Sequence, residues 1–318
     1  MLIRQESVDA KGALKDLPTA SPLPTANLVL VFSSVKRFSE GKLQTFLKAR
    51  YPTAQIVGCT TSGEINVTGV YDDSIQITAI MWEKVVQRVA QTKMSGMQNS
   101  FETAALLAKQ LKADTLKALV VISDGLNVNG SELLKGFQSV LGEIPIIGGL
   151  AGDGGAFVKT LQLFNETVSD GMIIAVGLYG DSLIVSSGAL GGWKPYGPPR
   201  KITKSEKNIV YEMDGKPALP LYRMYIGEAF SKGLPGTGLK FPLAIIEEGK
   251  RDVEKIRTLL AVNAEENSLT FAGNVEEGET VRLCQTNHDR LVEGAGGAAE
   301  LVMDGLGENK TNQTGLAL

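Results

Sequence analysis

Histidine and cysteine are scarce in this sequence: of 318 residues, one is a histidine, His288, and two are cysteines, Cys59 and Cys284. A Ser-His-Asp triad or a two-histidine metal site would have to use this single imidazole or could not form at all. A zinc site with four Cys or His ligands cannot be built from three such side chains. Because the two cysteines lie far apart in the chain, free thiols in a reducing compartment are favoured over a disulfide.

An excess of positive charge is also missing. The 32 Lys and Arg residues are outnumbered by 35 Asp and Glu residues, so the net charge is −3. Nucleic acids and anionic membranes both attract basic surfaces, and neither is therefore predicted as a partner. Met1–Asp9 lacks the apolar core of a signal peptide, and the longest apolar run, Met172–Tyr179, is too short to span a bilayer. The sequence predicts a cytoplasmic protein.

Glycine, in contrast, is abundant, with 36 residues, and several glycines belong to a pattern that occurs twice. In each copy an apolar strand is followed by an amphipathic helix and by a second strand that ends in a turn of small residues. The predicted elements are Leu28–Phe32, Ser39–Arg50 and Gln55–Gly58 in the first copy, and Lys117–Ser123, Gly130–Leu141 and Pro145–Ile147 in the second. The alignment of Gln55–Gly63 with Pro145–Asp153 indicates an internal duplication.

The fold class follows from this pattern. Strand-helix-strand units favour parallel pairing with helical crossovers, so we expect an α/β protein with duplicated strand-helix-strand units and mixed, largely parallel sheets. After the Gly- and Pro-rich loop Gly191–Pro199, a helix over Leu219–Ala229 and several short strands predict a smaller α+β C-terminal domain.

Composition also suggests where the domains begin and end. Residues 1–26 contain a proline-rich stretch and are predicted to be a flexible N-terminal arm. The first domain is expected over 27–220 and the second over 221–318. The final residues, Thr314–Leu318, have the character of a strand that is just beginning, so we expect the second domain to be truncated.

The duplication predicts that the two small-residue turns come together around one hollow. They are the candidate ligand site, because ligands of such sheets bind beyond the carboxyl ends of the strands. Backbone N–H groups in glycine turns can hold a carboxylate, nearby hydroxyls add donors, and Asp124 and Asp153 can accept an amine. Together these groups suit a zwitterion such as an amino acid; alternatively, the turns need small residues only for their geometry. The predicted ligand-binding residues are Cys59, Thr60, Thr61, Ser123, Asp124, Gly148, Gly149, Asp153 and Trp193.

Several other side chains allow two interpretations. Trp193 is either an aromatic wall of the site or an anchor for its own loop. Cys59 is either a reactive thiolate or a small buried side chain. A local positive cluster lies near Trp193 and consists of Lys194, Arg200 and Lys201. We interpret it as part of a solvated loop.

Several segments, taken in order, resemble the FIST family of intracellular sensory proteins. The segments similar to the FIST N-terminal domain are Leu28–Ser33, Val57–Glu64, Ile144–Asp153, Gly192–Gly197 and Val210–Ala218. The segments similar to the FIST C-terminal domain are Leu221–Gly227, Leu269–Gly273 and Glu277–Gly278. The resemblance covers residues 27 to 318. It assigns 27–220 to the N-terminal domain and 221–318 to a C-terminal domain that lacks a further strand present in the family.

The resemblance implies a sensory domain that binds a small ligand such as an amino acid. Together with the turns and the lack of a catalytic grouping in the sequence, it leads us to predict a non-catalytic domain that binds an amino acid or a small carboxylate and needs no metal or cofactor. It implies signalling to a partner in trans, such as a histidine kinase of two-component signalling or a cyclic-nucleotide enzyme. Members of the NosP type imply an alternative, a haem-binding nitric oxide sensor, for which His288 is the one available proximal histidine; otherwise His288 is an exposed residue in the first turn of a helix. A third hypothesis is an enzyme that uses Cys59 or Asp124.

Overall fold

The computed structural model describes residues 1–17, 23–246 and 255–307. The chain divides into two compact units. Within the described residues, the first comprises Met1–Val128 and Leu133–Val185, and the second comprises Asn129–Glu132 and Ser186–Gly307. The division at Val185 falls earlier than the predicted boundary between 220 and 221. The predicted strand at Thr314–Leu318 lies outside the described residues.

The first unit contains the two predicted copies. The first copy consists of β1 (Leu2–Val8), β2 (Leu28–Ser33), α1 (Val35–Ser39), α2 (Leu43–Arg50), β3 (Gln55–Thr60), β4 (Glu64–Asn66), β5 (Gly69–Tyr71) and β6 (Ile75–Met81). The second consists of β7 (Val86–Lys93), α3 (Ser100–Leu111), β8 (Leu116–Ser123), α4 (Gly130–Leu141), β9 (Ile146–Leu150), β10 (Gln162–Phe164), β11 (Thr167–Ser169) and β12 (Met172–Tyr179).

The strand order of the two sheets shows the duplication directly. The first sheet has the order β1-β6-β2-β3 and the second has β7-β12-β8-β9, so equivalent strands occupy equivalent places. The β10–β11 hairpin of the second copy extends the first sheet by pairing with β3. Its counterpart, β4–β5, forms a separate two-stranded sheet, because only residues 61–63 connect it to β3 whereas residues 151–161 connect β9 to β10.

The predicted α/β class with mixed sheets is confirmed, but the sheets are not largely parallel. Among the described strands, parallel pairing occurs only between β2 and β3 and between β8 and β9, the two places where a helix crosses over. The other pairs, including β2 with β6 and β8 with β12, are antiparallel. Hairpins and the short strands that follow each crossover return the chain in the opposite direction, which produces antiparallel ladders.

Each copy has a glycine at the same register position of its parallel strand pair. Gly58 lies opposite Val31 in the β2/β3 pair, and Gly148 lies opposite Val121 in the β8/β9 pair. An added Cβ would come within 2.0 Å of the Val31 carbonyl oxygen at Gly58 and 1.8 Å of the Val121 carbonyl oxygen at Gly148. These glycines therefore serve the close approach of neighbouring strands.

Buried side chains arrange the first unit in four layers, helix, sheet, sheet and helix. One cluster joins the inner faces of the two sheets and includes Leu30, Val57, Ile80, Ile122, Ile174 and Val176. A second packs α1 and α2 on the outer face of the first sheet and includes Val29, Ile56, Phe38, Leu43 and Leu47. A third packs α3 and α4 on the outer face of the second sheet and includes Leu119, Ala175, Ala104, Leu107 and Phe137.

The N-terminal residues correct the expectation of a flexible arm over 1–26. All seven residues of β1 pair with β6, and the buried Glu6 carboxylate accepts hydrogen bonds from Arg50 and Tyr51 on and after α2. The guanidinium of Arg37 donates to the backbone carbonyls of Asp9, Ala10 and Gly12. These long-range contacts hold residues 2–12 in place although their own sequence carries no apolar pattern.

The second unit is built on an antiparallel sheet that a helix covers. Its elements are β13 (Lys194–Glu206), β14 (Ile209–Met213), β15 (Lys216–Pro217), α5 (Ala218–Ile226), α6 (Glu228–Ser231), β16 (Leu243–Ile246), β17 (Lys255–Arg257), β18 (Leu259–Asn263), β19 (Ser268–Phe271), β20 (Thr280–Gln285) and α7 (His288–Gly305). The strand order is β17-β16-β20-β13-β14-β19-β18, and β15 pairs with β14. The core beneath α5 includes Ile202, Leu219, Tyr222, Phe271 and Val281.

Two sequence predictions for this unit need adjustment. The predicted loop Gly191–Pro199 becomes strand from Lys194 onward, with a break in register between Tyr196 and Arg200 where Pro198 and Pro199 lie. The predicted helix Leu219–Ala229 is interrupted at Gly227, whose φ of 82° ends α5.

Candidate ligand-binding site

The two small-residue turns of the first unit meet, as the duplication predicted. The Gly152 backbone N–H donates to the Thr60 carbonyl oxygen at 2.9 Å, and the Gly154 N–H donates to Ser62 Oγ at 3.1 Å. The Ala151 N–H donates to the Ser123 carbonyl oxygen at 2.8 Å. The carboxyl ends of β3, β8 and β9 are therefore joined by direct hydrogen bonds.

The predicted hydroxyl donors of these turns are engaged with the protein itself. Thr60 is fully buried, and its Oγ1 accepts the Leu161 N–H at 3.1 Å. The Thr61 hydroxyl donates to the buried Glu64 carboxylate. The buried Ser123 hydroxyl donates to the Asp124 carbonyl oxygen at 3.3 Å. These contacts give each side chain a structural partner.

Asp124, predicted to accept a ligand amine, has both oxygens occupied. Its Oδ1 accepts the backbone N–H groups of Leu126 and Asn127 at 2.9 and 2.7 Å. Its Oδ2 accepts the Thr160 hydroxyl at 2.8 Å and the Gly171 N–H at 3.1 Å. The carboxylate is 1 % exposed, so it holds the turn after β8 to the segments that lead into β10 and β12.

Asp153 has a similar structural role in the second turn. Its oxygens accept the backbone N–H groups of Phe157, Val158 and Lys159 at 3.0, 2.8 and 3.1 Å. Gly149, in contrast, has open space where a side chain would stand, since an added Cβ would meet no atom within 4 Å. The turns therefore leave a backbone surface near Gly149, while their acidic groups are engaged.

Cys59 lies in the apolar cluster between the two sheets and is buried. Burial raises the pKa of its thiol to about 12, so the thiol is protonated at neutral pH. Burial also raises the pKa of Cys284 to about 11. A nucleophile needs an accessible thiolate, and Cys59 offers neither accessibility nor a negative charge.

Trp193 and His288 belong to the second unit, whereas the turns belong to the first. Trp193 is half-buried, one residue before β13, next to Gly192, which packs against the Arg290 carbonyl of α7. His288 is exposed at the first position of α7.

The second unit contains a pocket that the sequence did not indicate. It is small, with about 30 Å³ of accessible space, which is room for roughly two water molecules. Its lining comes from β13, β14, β16, β20 and α5, and consists of Tyr196, Gly197, Pro198, Arg200, Met213, Leu221, Tyr222, Tyr225, Leu243, Val281 and Leu283. Three aromatic rings and one cation thus share an otherwise apolar hollow.

Arg200 is the charged residue of this lining. Its Nη1 donates to Asp214 Oδ2 at 2.8 Å, its Nη2 donates to the Tyr225 hydroxyl, and its guanidinium carbon lies 5.2 Å from the centre of the Tyr225 ring. Its Nε is buried and has no hydrogen-bond partner in the part of the chain that the structure describes. A buried donor without an acceptor is unfavourable.

The tyrosines differ in how their hydroxyls are used. The Tyr222 hydroxyl donates to the Phe241 carbonyl oxygen at 2.8 Å, and burial raises the pKa of Tyr222 above its ordinary value. Burial also raises the pKa of Tyr196. Both side chains are therefore neutral at physiological pH, and they add ring surface and hydroxyl dipoles but no negative charge.

Sequence reasoning missed this pocket because its residues come from distant segments. Arg200 was assigned to a solvated cluster with Lys194 and Lys201, and both lysines are indeed exposed. One signal was available: Tyr222 and Tyr225 lie three residues apart in a predicted helix, which places them on one face.

The described residues do not fit haem or a metal site. His288, the one histidine that could ligate haem iron, is exposed and does not line the pocket. Among the side chains that can ligate haem iron through nitrogen or sulfur, the pocket lining contains Met213 and no histidine or cysteine. No group of three or more His, Cys, Asp or Glu side chains converges anywhere in residues 1–17, 23–246 and 255–307. None of the helices described there is long and apolar enough to cross a membrane.

The chain is similar to known proteins in sequence and, weakly, in structure. An uncharacterized protein of Methanocaldococcus jannaschii is 27 % identical over 301 residues, and the alignment covers 84 % of this chain but 56 % of that protein. The chain therefore spans little more than half the length of this relative. A thiamine-monophosphate kinase structure from Stenotrophomonas maltophilia covers 55 % of this chain and 51 % of its own, with 11 % identity and a TM-score of 0.19, a likeness too weak to argue from.

The family match is more extensive. The FIST N domain matches residues 27–216, and the FIST C domain matches residues 218–317. Together the two matches cover almost all of the chain after its first strand. The chain belongs to the FIST family, whose domains are sensory domains of signal transduction.

Proposed function

We propose that this chain is the ligand-binding part of a cytoplasmic sensor that binds a small carboxylate-bearing molecule and catalyses no reaction. It relays the bound state in trans to a signalling partner such as a histidine kinase or a cyclic-nucleotide enzyme. The free cysteines Cys59 and Cys284 support a reducing compartment. The FIST domains support the sensory role.

The pocket of the second unit carries this proposal. It combines an apolar lining with a single cation, the partly exposed guanidinium of Arg200, which attracts an anion. An apolar hollow with a few polar groups is the usual form of a small-ligand site. Its two neutral tyrosines, the half-buried Tyr196 and the buried Tyr222, do not form the acid–base pair that catalysis needs.

A sensor also needs a ligand that distinguishes two states of the protein, since a ligand with equal affinity for both shifts nothing. Arg200 joins the turn after β14, through Asp214, to α5, through Tyr225. A ligand that engages Arg200 competes with or reinforces these contacts. The position of α5 relative to that turn is therefore the feature that binding would change.

The turn residues of the first unit are a second candidate site. Their convergence supports it, as does the open space at Gly149 and Gly154, where an added Cβ would meet no atom within 4 Å. Against it stands the internal use of Asp124 and Asp153. A ligand at the turns would bind through backbone groups of the second turn.

The two sites can be separated by thermal-shift screening of amino acids and small carboxylates against three proteins. Arg200→Gln removes the cation of the pocket, and Gly149→Val places a side chain in the open space at the turns, where its Cβ would meet no atom within 4 Å. We expect at least one carboxylate to stabilise the wild type and Gly149→Val, and to lose its effect on Arg200→Gln. Stabilisation lost only in Gly149→Val would move the site to the turns. No stabilisation of the wild type, with no small molecule retained in native mass spectrometry, would contradict the proposal.

A further inference from the structure

We propose that two copies of this chain associate through the open edge of β9, the last strand of the second sheet. The two copies of the β7-β12-β8-β9 sheet then form one continuous sheet across a twofold axis. This inference concerns the first unit alone and goes beyond the proposed function, because it needs no ligand.

The duplication shows what normally covers such an edge. In the first copy, the equivalent strand β3 lies between β2 and β10. Its outer side is bonded to the β10 segment: the Thr60 N–H donates to the Leu161 carbonyl oxygen at 2.9 Å, and the Asn165 N–H donates to the Ile56 carbonyl oxygen at 2.7 Å. Strand β9 pairs with β8 on one side, and no strand within residues 1–17, 23–246 and 255–307 lies on its other side.

The backbone groups at this edge can be assigned from the bonds that flank β9. The Leu119 N–H donates to the Pro145 carbonyl oxygen at 2.9 Å, and the Ala151 N–H donates to the Ser123 carbonyl oxygen at 2.8 Å. These bonds direct Pro145 and Ala151 toward β8. Because alternate residues of a strand bond to opposite sides, the N–H and carbonyl groups that point to the open edge are those of Ile146, Gly148 and Leu150.

Strand β9 also lacks the charges that protect other edges of the first unit. Exposed edge strands usually avoid pairing by carrying charged residues or by being short. Strand β1 carries Arg4 and Glu6, β7 carries Arg88, and β11 has three residues. Strand β9 has no charged residue, and the flanking Glu143 and Asp153 lie outside it. In a twofold interface each patch meets its own copy, so like charges would repel, and their absence favours a second copy as the occupant.

Helix α4 continues this uncharged surface. Gly136 packs against α3, since an added Cβ would come within 2.3 Å of the Phe101 carbonyl oxygen. Helix α3 packs against β7 at the opposite end of the sheet, so the side of α4 away from Gly136 faces the β9 edge. At about 100° per residue, that side carries Leu134, Gln138 and Leu141. Leu134 is 42 % exposed, so an apolar side chain stands beside the open strand.

Antiparallel pairing along the whole of β9 places Gly148 opposite Gly148 of the second copy, and Ile146 opposite Leu150. The three pairs exchange about six backbone hydrogen bonds, and glycine at the centre allows close approach of the two backbones. A twofold axis perpendicular to the sheet keeps both copies of α4 on the same face, about 10 Å apart, which is the distance of packed helices. Leu134 is then buried against the second α4.

Sedimentation velocity of the whole chain tests the association. We expect the sedimenting mass to rise with concentration from that of one chain to that of two between about 1 and about 100 µM, because dimerisation follows mass action. A chain that stays monomeric over this whole range overturns the inference.

Two variants with matched controls locate the interface. Leu134→Lys should raise the dimer dissociation constant at least tenfold, whereas Leu106→Lys, at a leucine of α3 that is 59 % exposed, should change it less than threefold. Ile146→Pro removes one outward N–H, which an edge strand tolerates, and should also weaken the dimer at least tenfold. Ile146→Ala removes the same side chain but keeps the donor, and should weaken it less than threefold.

Hydrogen exchange keeps the inference testable if these variants fail to fold. In the wild type, the amides of Ile146, Gly148 and Leu150 should exchange at least tenfold more slowly in the dimer than in the diluted monomer. A dimer whose affinity neither Leu134→Lys nor Ile146→Pro changes uses another surface, and slow exchange of these amides already in the monomer means that the same chain covers the edge. Either result overturns the inference and leaves the ligand-binding proposal untouched.

Discussion

At the scale of single residues, the buried ion pair between Glu6 and Arg50 is the contact in which each charge depends most on its partner. Their side chains are 7 % and 3 % exposed, and Tyr51 donates a further hydrogen bond to the Glu6 carboxylate. The contact with Glu6 raises the pKa of Arg50, so the arginine stays charged at every pH the fold tolerates. A charge buried this deeply is stable only while its partner is present.

Replacement of Glu6 by Gln should therefore lower the free energy of unfolding by ~3–5 kcal/mol, since it leaves the Arg50 charge uncompensated. Urea denaturation followed by circular dichroism measures this loss. The control is Lys93→Gln, which removes an exposed ion pair with Asp170 and should cost less than ~1 kcal/mol. Equal small effects of both variants would show that β1 is not held by this pair.

Cys59 provides a test of reactivity. Because burial raises its pKa to about 12, native Cys59 should react with iodoacetamide at pH 8 at least ~100-fold more slowly than a free thiol, whose pKa is ~8.5. The raised pKa also means that the neutral thiol favours the folded state, so its contribution to stability is complete below pH ~9 and is lost as the pH rises toward about 12. Mass spectrometry of the alkylated peptide gives the rate, and denatured protein gives the reference. Rapid labelling of native Cys59 would revive the hypothesis of a nucleophile.

At the scale of elements, the duplication explains why Gly58 and Gly148 are glycines. Each lies in the second strand of a parallel pair and faces a valine of the first. The turn prediction assigned Gly148 a role in ligand binding, but its register position gives it a packing role that Gly58 shares. Gly149, one residue later, has no such neighbour.

Gly58→Ala and Gly148→Ala should each lower the free energy of unfolding by at least ~2 kcal/mol, because the new methyl group would overlap a carbonyl oxygen of the adjacent strand. At Gly148 the φ of 141° adds backbone strain. Gly149→Ala, where the added Cβ meets open space, should change it by less than ~1 kcal/mol. Chemical denaturation of the three variants compares them, and a Gly148→Ala protein as stable as Gly149→Ala would refute the equivalence of the two copies.

The elements also show which parts of the fold a sequence can predict. The strand-helix-strand copies carry local signals, apolar runs and helical periodicity, and both were predicted. The predicted helix Ser39–Arg50 is shorter in the structure, where α2 spans Leu43–Arg50 and the separate α1 precedes it. Strand β1 carries no such signal, because it depends on pairing with β6 and on Arg50 from α2. The pairing direction of the remaining strands depends on contacts between distant segments, and so the balance of parallel and antiparallel pairs could not be predicted.

The candidate site was predictable to a smaller extent. The convergence of the turns followed from the duplication, but local sequence cannot show that Asp124 and Asp153 spend their oxygens on nearby backbone groups. The pocket brings together Arg200 of β13, Tyr225 of α5 and Leu283 of β20. No local pattern links these three segments, since only the sheet order makes them neighbours.

At the scale of the whole molecule, each unit contains one tryptophan. Trp82 lies in the apolar cluster between the sheets of the first unit, and Trp193 lies in the second. The chain has no other tryptophan. Trp193→Phe and Trp82→Phe therefore leave a fluorescence reporter for the first and the second unit, respectively.

These reporters test where a ligand acts in the intact chain. A ligand that binds only the folded second unit, at 100 times its dissociation constant, should stabilise that unit by ~2.7 kcal/mol. The urea midpoint reported by Trp193 should rise accordingly, and the midpoint reported by Trp82 should rise less if the first unit unfolds on its own. A rise reported by Trp82 with none at Trp193 would place the ligand at the turns of the first unit. Equal rises of both urea midpoints would mean that the two units unfold together. The Arg200→Gln change, made in a chain that carries the same tryptophan reporter, then decides between the sites. A ligand held in the pocket would no longer raise the midpoint of this variant, whereas a ligand held at the turns would still raise it.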